Sequence, residues 1–151
     1  MILLFLISGL FLGWSLGAND AANIFGSAVG SRLVSFRKAA IIASVFVILG
    51  AVNQGGGPAL TLGKLGSVNA LGGSFTAALA AALTVYTMTR FAIPVSTTQA
   101  IVGAIIGWNF FTGNQTDGKI LTQVISTWIS GPISVAKLKY EILYVISLWS
   151  R

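Results

Sequence analysis

"MILLFLISGLFLGWSLGANDAANIFGSAVG", residues 1–30, decides the fold class. Nothing from Met1 to Asn19 is charged and most of it is apolar; then Asp20, one of only three acidic residues in the chain, arrives between Asn19 and Asn23. A helix crosses the hydrocarbon core of a bilayer with roughly 20 apolar residues, and the stretch from Ile2 to Val29 is long enough. It is similar to the apolar core of a secretory signal, but no positive segment precedes it and the apolar character continues through "AANIFGSAVG", so a retained first helix is expected.

The rest of the chain agrees. Of 151 residues 55% are hydrophobic and 8% charged, against about 25% charged in soluble domains, and the mean hydropathy is +0.88. This is the composition of a multi-pass protein whose main partner is the lipid bilayer. The net charge of +6 does not indicate nucleic acid, because the nine basic residues are scattered among apolar runs and form no clustered face for phosphate backbones. Cysteine and histidine are both absent. That excludes disulfides and thiolate metal sites and removes the commonest general base. No enzyme and no organic cofactor are expected.

The fold class is therefore an all-α integral membrane protein, a single transmembrane domain over residues 1–151 with apolar segments at 2–29, 39–54, 71–91, 97–111 and 120–148. The fourth segment is short and is separated from the third only by "AIPVS". A short segment after a proline-interrupted connection points to a re-entrant helical hairpin, with two antiparallel spans as the alternative. The fifth segment is interrupted by "SGPISVAKLK". The glycine-rich "GGGPALTLGKLGSVNA" at 55–70 reads as a loop. Its Gly63-Lys64 pair is not a phosphate-binding P-loop, since Pro58 and Leu65 stand where Gly and Ser or Thr are required. Arg32, Arg37 and Lys38 crowd the first connection, which places it in the cytoplasm and the N-terminus outside a plasma or inner membrane.

Two polar motifs break the apolar pattern. In "GANDAAN", Asn19, Asp20 and Asn23 share one broad helix face. Gly9, Gly13, Gly17 and Ala21 form a row of small residues, continued by Gly26 and Gly30, that would let another helix approach closely. An Asp inside a membrane helix costs about 2.5–3.5 kcal/mol on insertion scales. A bound cation would offset this, and carboxylate and amide oxygens suit Na⁺; a proton would serve as well. Polar glue between helices is the plainer reading.

The second motif is "PVSTTQA", Pro94 to Ala100. Ser96 with Gln99 three residues later forms a capping box. A helix beginning there at membrane depth presents N–H groups and the positive end of its dipole to an anion, and the hydroxyls of Ser96, Thr97 and Thr98 add donors. A plain N-cap at the membrane surface is the alternative. Arg90 reads as an interfacial, snorkelling residue, Trp108 and Trp128 as interfacial or packing residues. "NQT" at Asn114 is a glycosylation sequon of a kind common by chance.

"GANDAANIFGSAVGSRLVSFRKA" and "PVSTTQAIVGAIIGWNFFTG" resemble the paired signatures of the inorganic phosphate transporter family, and the likeness covers about Leu12 to Pro132. The resemblance implies a secondary transporter built from two inverted repeats, carrying inorganic phosphate with Na⁺ or H⁺. It implies that Asn19, Asp20 and Asn23 hold the cation and that Ser96, Thr97, Thr98 and Gln99 contact phosphate at the tip of a hairpin. Many members have His where this chain has Gln99, which cannot take up a proton, and this favours Na⁺ as the coupling ion. The chain carries one copy of each motif, so a second transporter half or a homo-oligomer is expected. The tail "VAKLKYEILYVISLWSR" places Lys137, Lys139 and Glu141 where an apolar span would continue, as in a truncated or frame-shifted end. Sulfate or another oxyanion, and a non-transporting membrane subunit or fragment, stay open as alternatives.

Overall fold

The computed structural model describes residues 2–66 and 71–149, and every regular element among them is a helix: α1 (Ile2–Gly30), α2 (Phe36–Gln54), α3 (Gly56–Leu65), α4 (Leu71–Arg90), α5 (Thr97–Thr112) and α6 (Gly118–Trp149). The chain divides into two compact units, Met1–Thr116 and Asp117–Arg151. Two of the described helices, Phe36–Gln54 and Leu71–Arg90, are long and apolar enough to cross a membrane by length and composition.

In the first unit α4 is the central helix and packs against both α1 and α5. Its buried side is Gly73, Ala77, Ala81, Ala82 and Val85, a four-residue stride of small side chains that lets neighbouring backbones close in. The face of α1 that is covered is Ser8, Ser15 and Asn19, each 2–3% exposed. The glycine row of α1 does not make this contact. Gly9, Gly13 and Gly17 are exposed, and a Cβ built on any of them meets nothing within 4 Å. The reason is rotational: at about 100° per residue, positions 9, 13 and 17 lie about 80–180° around the helix from positions 8, 15 and 19. The working row of small residues is on α4.

α4 and α5 run antiparallel. Their near ends are joined by residues 91–96, and at the far ends the Trp108 ring lies over Gly73, where a Cβ would come within 3.0 Å of the indole. Trp108 is thus a packing residue of this pair. Aromatic contacts extend the α1–α4 seam: Phe5 meets Phe75 edge-on at 5.8 Å, and Phe11, Trp14 and Tyr86 form a cluster with centroids 5.8–6.0 Å apart.

Helices α1, α4 and α5 end in one way. Arg32, Ala92 and Gly113 have left-handed backbones, with φ of 60°, 56° and 72°. The next N–H in each case reaches back five residues: Leu33 to Ala28 O at 3.0 Å, Ile93 to Met88 O at 2.9 Å, Asn114 to Asn109 O at 2.9 Å. This closure satisfies carbonyls that a helix end leaves bare. Two of the three caps place a residue with a Cβ where glycine is the low-strain choice.

Two expectations are corrected. The stretch read as a loop at 55–70 contains α3; its residues 67–70 lie outside the described part. Gly55 is in the right-handed helical region and its N–H bonds Ala51 O at 3.1 Å. Pro58 falls in the first turn of α3, where no intrahelical N–H is needed, and Leu65 is fully buried at the helix end. The supposed interruption of the fifth segment is no break either: α6 runs through Pro132 to Trp149. A proline removes one helical bond, and 14 helical residues precede Pro132 and 17 follow it. Asp117 caps this helix, its Oδ1 accepting from the N–H groups of Lys119 at 2.9 Å and Ile120 at 3.1 Å.

Candidate functional site

The two polar motifs meet in the first unit. A cavity of about 410 Å³ is lined by Leu16, Asp20 and Asn23 of α1 and by Pro94, Val95, Ser96, Thr97, Thr98 and Ile101 around the start of α5. Residues more than 70 positions apart in sequence face one space because α4 packs on both α1 and α5 and the six residues 91–96 reverse the chain tightly.

On the α5 side the chain leaves the Ala92 cap, passes through Pro94, and enters the helix at Ser96, whose extended backbone has φ and ψ of −87° and 117°. Ser96 Oγ accepts the Gln99 N–H at 3.4 Å and Ser96 O accepts the Ala100 N–H at 3.0 Å. The capping role expected of Ser96 is therefore present. A helix leaves its first N–H groups without intrahelical partners, here those of Thr97 and Thr98. Thr97 is 5% exposed, and its Oγ1 is buried with no hydrogen-bond partner among the described residues. A hydroxyl in that state costs about 1–3 kcal/mol.

On the α1 side Asp20 is half-buried and Asn23 exposed. Asn19 stands behind them, buried, with all its polar atoms engaged. Its Nδ2 donates to Asp20 Oδ1 at 3.1 Å and to Val95 O at 2.9 Å, and its Oδ1 accepts from Thr89 Oγ1 at 3.3 Å. Asn19 is a brace between three elements rather than part of the cavity wall. Gln99 is exposed and does not line the cavity. Of the seven residues singled out from the sequence, Asp20, Asn23, Ser96, Thr97 and Thr98 come together around one space.

Sequence reasoning missed Thr89, Leu16 and Ile101, and the role of the Val95 carbonyl. Leu16 lies one turn before Asp20 and Ile101 one turn after Thr97, so the helical period alone could have found them. Thr89 carries no local signal, since its partner is 70 residues away.

The arrangement is polar on two walls with opposite character. One wall has a carboxylate and an amide, which suit a hard cation. The other has a helix N-terminus and hydroxyls, which suit an oxyanion.

Comparison with known proteins gives the same direction. The model of the phosphate transporter family matches residues 16–151. A protein of Pyrococcus furiosus provisionally named a phosphate permease is 31% identical over 97% of this chain, and one from Pyrococcus abyssi with a similar name is 35% identical over 96%. A Plasmodium falciparum protein named as a sodium-dependent phosphate transporter is 32% identical over 88% of the chain. The chain spans 38% of each of the two Pyrococcus proteins and 22% of the Plasmodium one. No solved structure matches it. The family and these relatives are transporters and not enzymes, and membership makes this a membrane protein. With the family model matching nine-tenths of its length, the chain belongs to the phosphate transporter family.

Proposed function

We propose that this chain is one half of a cation-coupled symporter of inorganic phosphate, with Na⁺ as the coupling ion, in a plasma or inner membrane with its N-terminus outside. The observation that carries the reading is the shared cavity: Asp20 and Asn23 line one side, and the start of α5, with Ser96, Thr97 and Thr98, lines the other.

The physical logic of coupling follows from that placement. A phosphate at the α5 start accepts hydrogen bonds from the Thr97 and Thr98 N–H groups and from the hydroxyls of Ser96, Thr97 and Thr98. The Asp20 carboxylate shares the cavity and repels it. Two like charges roughly 6 Å apart at an effective dielectric constant of 20 repel by about 3 kcal/mol, or about 100-fold in affinity. A Na⁺ held by Asp20 and Asn23, with Asn19 supporting the carboxylate from behind, cancels that repulsion, so each ion favours the other. In this reading α4 and α5 form a re-entrant hairpin, and alternating access comes from rocking against a second repeat, supplied by another transporter half or a second copy of this chain. The name of the Plasmodium relative favours Na⁺ over H⁺.

The test is equilibrium binding of labelled inorganic phosphate to the full chain in lipid vesicles, in Na⁺ or in K⁺, with sulfate as competitor. Binding should be tighter in Na⁺, and Asp20→Asn should abolish the difference between the two salts. Absence of phosphate binding in both salts, or equal displacement by sulfate, would refute the reading.

A further inference from the structure

The brace behind the cavity assigns a role to a residue outside both sequence motifs. The Asn19 amide could sit in either of two orientations related by a flip of its oxygen and nitrogen. Only one presents Nδ2 to two acceptors, Asp20 Oδ1 at 3.1 Å and Val95 O at 2.9 Å. The flipped amide would set its oxygen against a carboxylate and a carbonyl. With the orientation set by those two acceptors, the hydroxyl of Thr89, in the last turn of α4, holds the amide from the other side by donating to Asn19 Oδ1 at 3.3 Å.

We propose that Thr89 is a positioning residue of the site: by fixing the Asn19 amide, it ties the Asp20 carboxylate to the Val95 carbonyl, and so holds the start of α5 at a set distance from the acid. Val95 directly precedes Ser96, the N-cap of α5. The path is therefore short: Thr89 hydroxyl, Asn19 amide, then Asp20 on one branch and the helix start on the other. One side chain from α4 governs the spacing between the wall that suits a cation and the wall that suits an anion. The methyl group of Thr89 cannot do this; only its O–H can. The inference rests on the proposed phosphate site for its functional consequence, and on hydrogen-bond geometry alone for the bracing.

The test uses the full chain in lipid vesicles with Thr89→Val, which keeps the shape and removes the hydroxyl, and Thr89→Ser, which keeps the hydroxyl. Amide hydrogen exchange without ligand reads the bracing. The N–H groups of Gln99 and Ala100 both bond Ser96, so they report how firmly the helix start is held. They should exchange roughly 3- to 10-fold faster in Thr89→Val, the range expected for one lost hydrogen bond, and at the parental rate in Thr89→Ser. Titration with inorganic phosphate in Na⁺ should show binding weakened by a similar factor in Thr89→Val and restored in Thr89→Ser. Unchanged exchange in Thr89→Val, or equal acceleration in both variants, overturns the inference, and acceleration in Thr89→Ser alone overturns it by assigning Thr89 a packing role through its methyl. If the exchange pattern is found but the parent chain binds no phosphate, the bracing stands and the proposed substrate falls.

Discussion

Thr97→Val should make the ligand-free protein more stable and a poorer phosphate binder at the same time. Valine has nearly the shape of threonine and both are β-branched, so the helix start need not move. What changes is one hydroxyl, buried and without a partner among the described residues, in a side chain only 5% exposed. Removing such a group relieves a desolvation penalty of about 1–2 kcal/mol, and for a chain of this length each kcal/mol raises the melting temperature by about 2–4 °C. The expected gain without phosphate is therefore roughly 2–8 °C. With phosphate present the order reverses. A hydroxyl bonded to an anion contributes about 1.5–3 kcal/mol, so the variant should bind phosphate roughly 10- to 150-fold more weakly. At a phosphate concentration 100 times the parental dissociation constant the parent gains about 2.7 kcal/mol and the variant much less. The assay is thermal unfolding in detergent micelles across a phosphate series in Na⁺, where the two melting curves should cross. A lower melting temperature for Thr97→Val in the absence of phosphate would show that the hydroxyl has a native partner, and the case for a ligand at that position would collapse.

Three further outcomes test the packing and the caps. Gly66→Ala should destabilise by about 2–3 kcal/mol: the backbone at φ −154° accepts alanine, but the new Cβ would lie 2.6–2.7 Å from the Asn109 amide and Ile105 Cγ2, both buried; a melting temperature equal to that of the parent would mean that α3 is not held against α5. Ala92→Gly should raise stability by about 0.5–1 kcal/mol, because a Cβ is strained at φ 56°; a loss on thermal unfolding would argue against the left-handed cap. Asp117→Ala should lower the helicity of the segment that follows and cost about 0.5–2 kcal/mol through the lost bonds to Lys119 and Ile120; hydrogen exchange at 118–122 would report it, and unchanged rates there would remove the cap.

The sequence was most readable where local chemistry is decisive. Apolar runs placed α1, α2, α4 and α5 to within a few residues, and the Ser96 cap followed from a short motif. It was least readable where a tertiary partner decides. The glycines of 55–58 suggested a loop, yet α3 forms because its proline falls in a first turn and Leu65 finds a buried site. The small residues of α1 suggested its packed face, yet the contact uses Ser8, Ser15 and Asn19 against α4. A row of glycines says that a helix could come close on that side and does not say that one does. Within the site, the acid and the hydroxyls were legible as residue types that are costly in lipid. The brace was not: Asn19 looked like a ligand, and that its amide is bound by Thr89 and Val95 depends on contacts 70 and 76 residues away in sequence.

The length of α1 has an electrical consequence. It runs 29 residues, from Ile2 to Gly30, and Asp20 lies about 15 Å from its C-terminal end at 1.5 Å per residue. That is about half the thickness of a hydrocarbon core of roughly 30 Å. With α1 upright in the bilayer and its end at the boundary of the core, a cation arriving at Asp20 has traversed about half of the transmembrane voltage. A full crossing is worth about 2.3 kcal/mol per elementary charge at 100 mV, so occupancy at this depth shifts by about 1.2 kcal/mol, or roughly sevenfold in apparent affinity. On the proposed reading, in which Asp20 holds Na⁺, the membrane potential itself becomes a term in how readily the site fills.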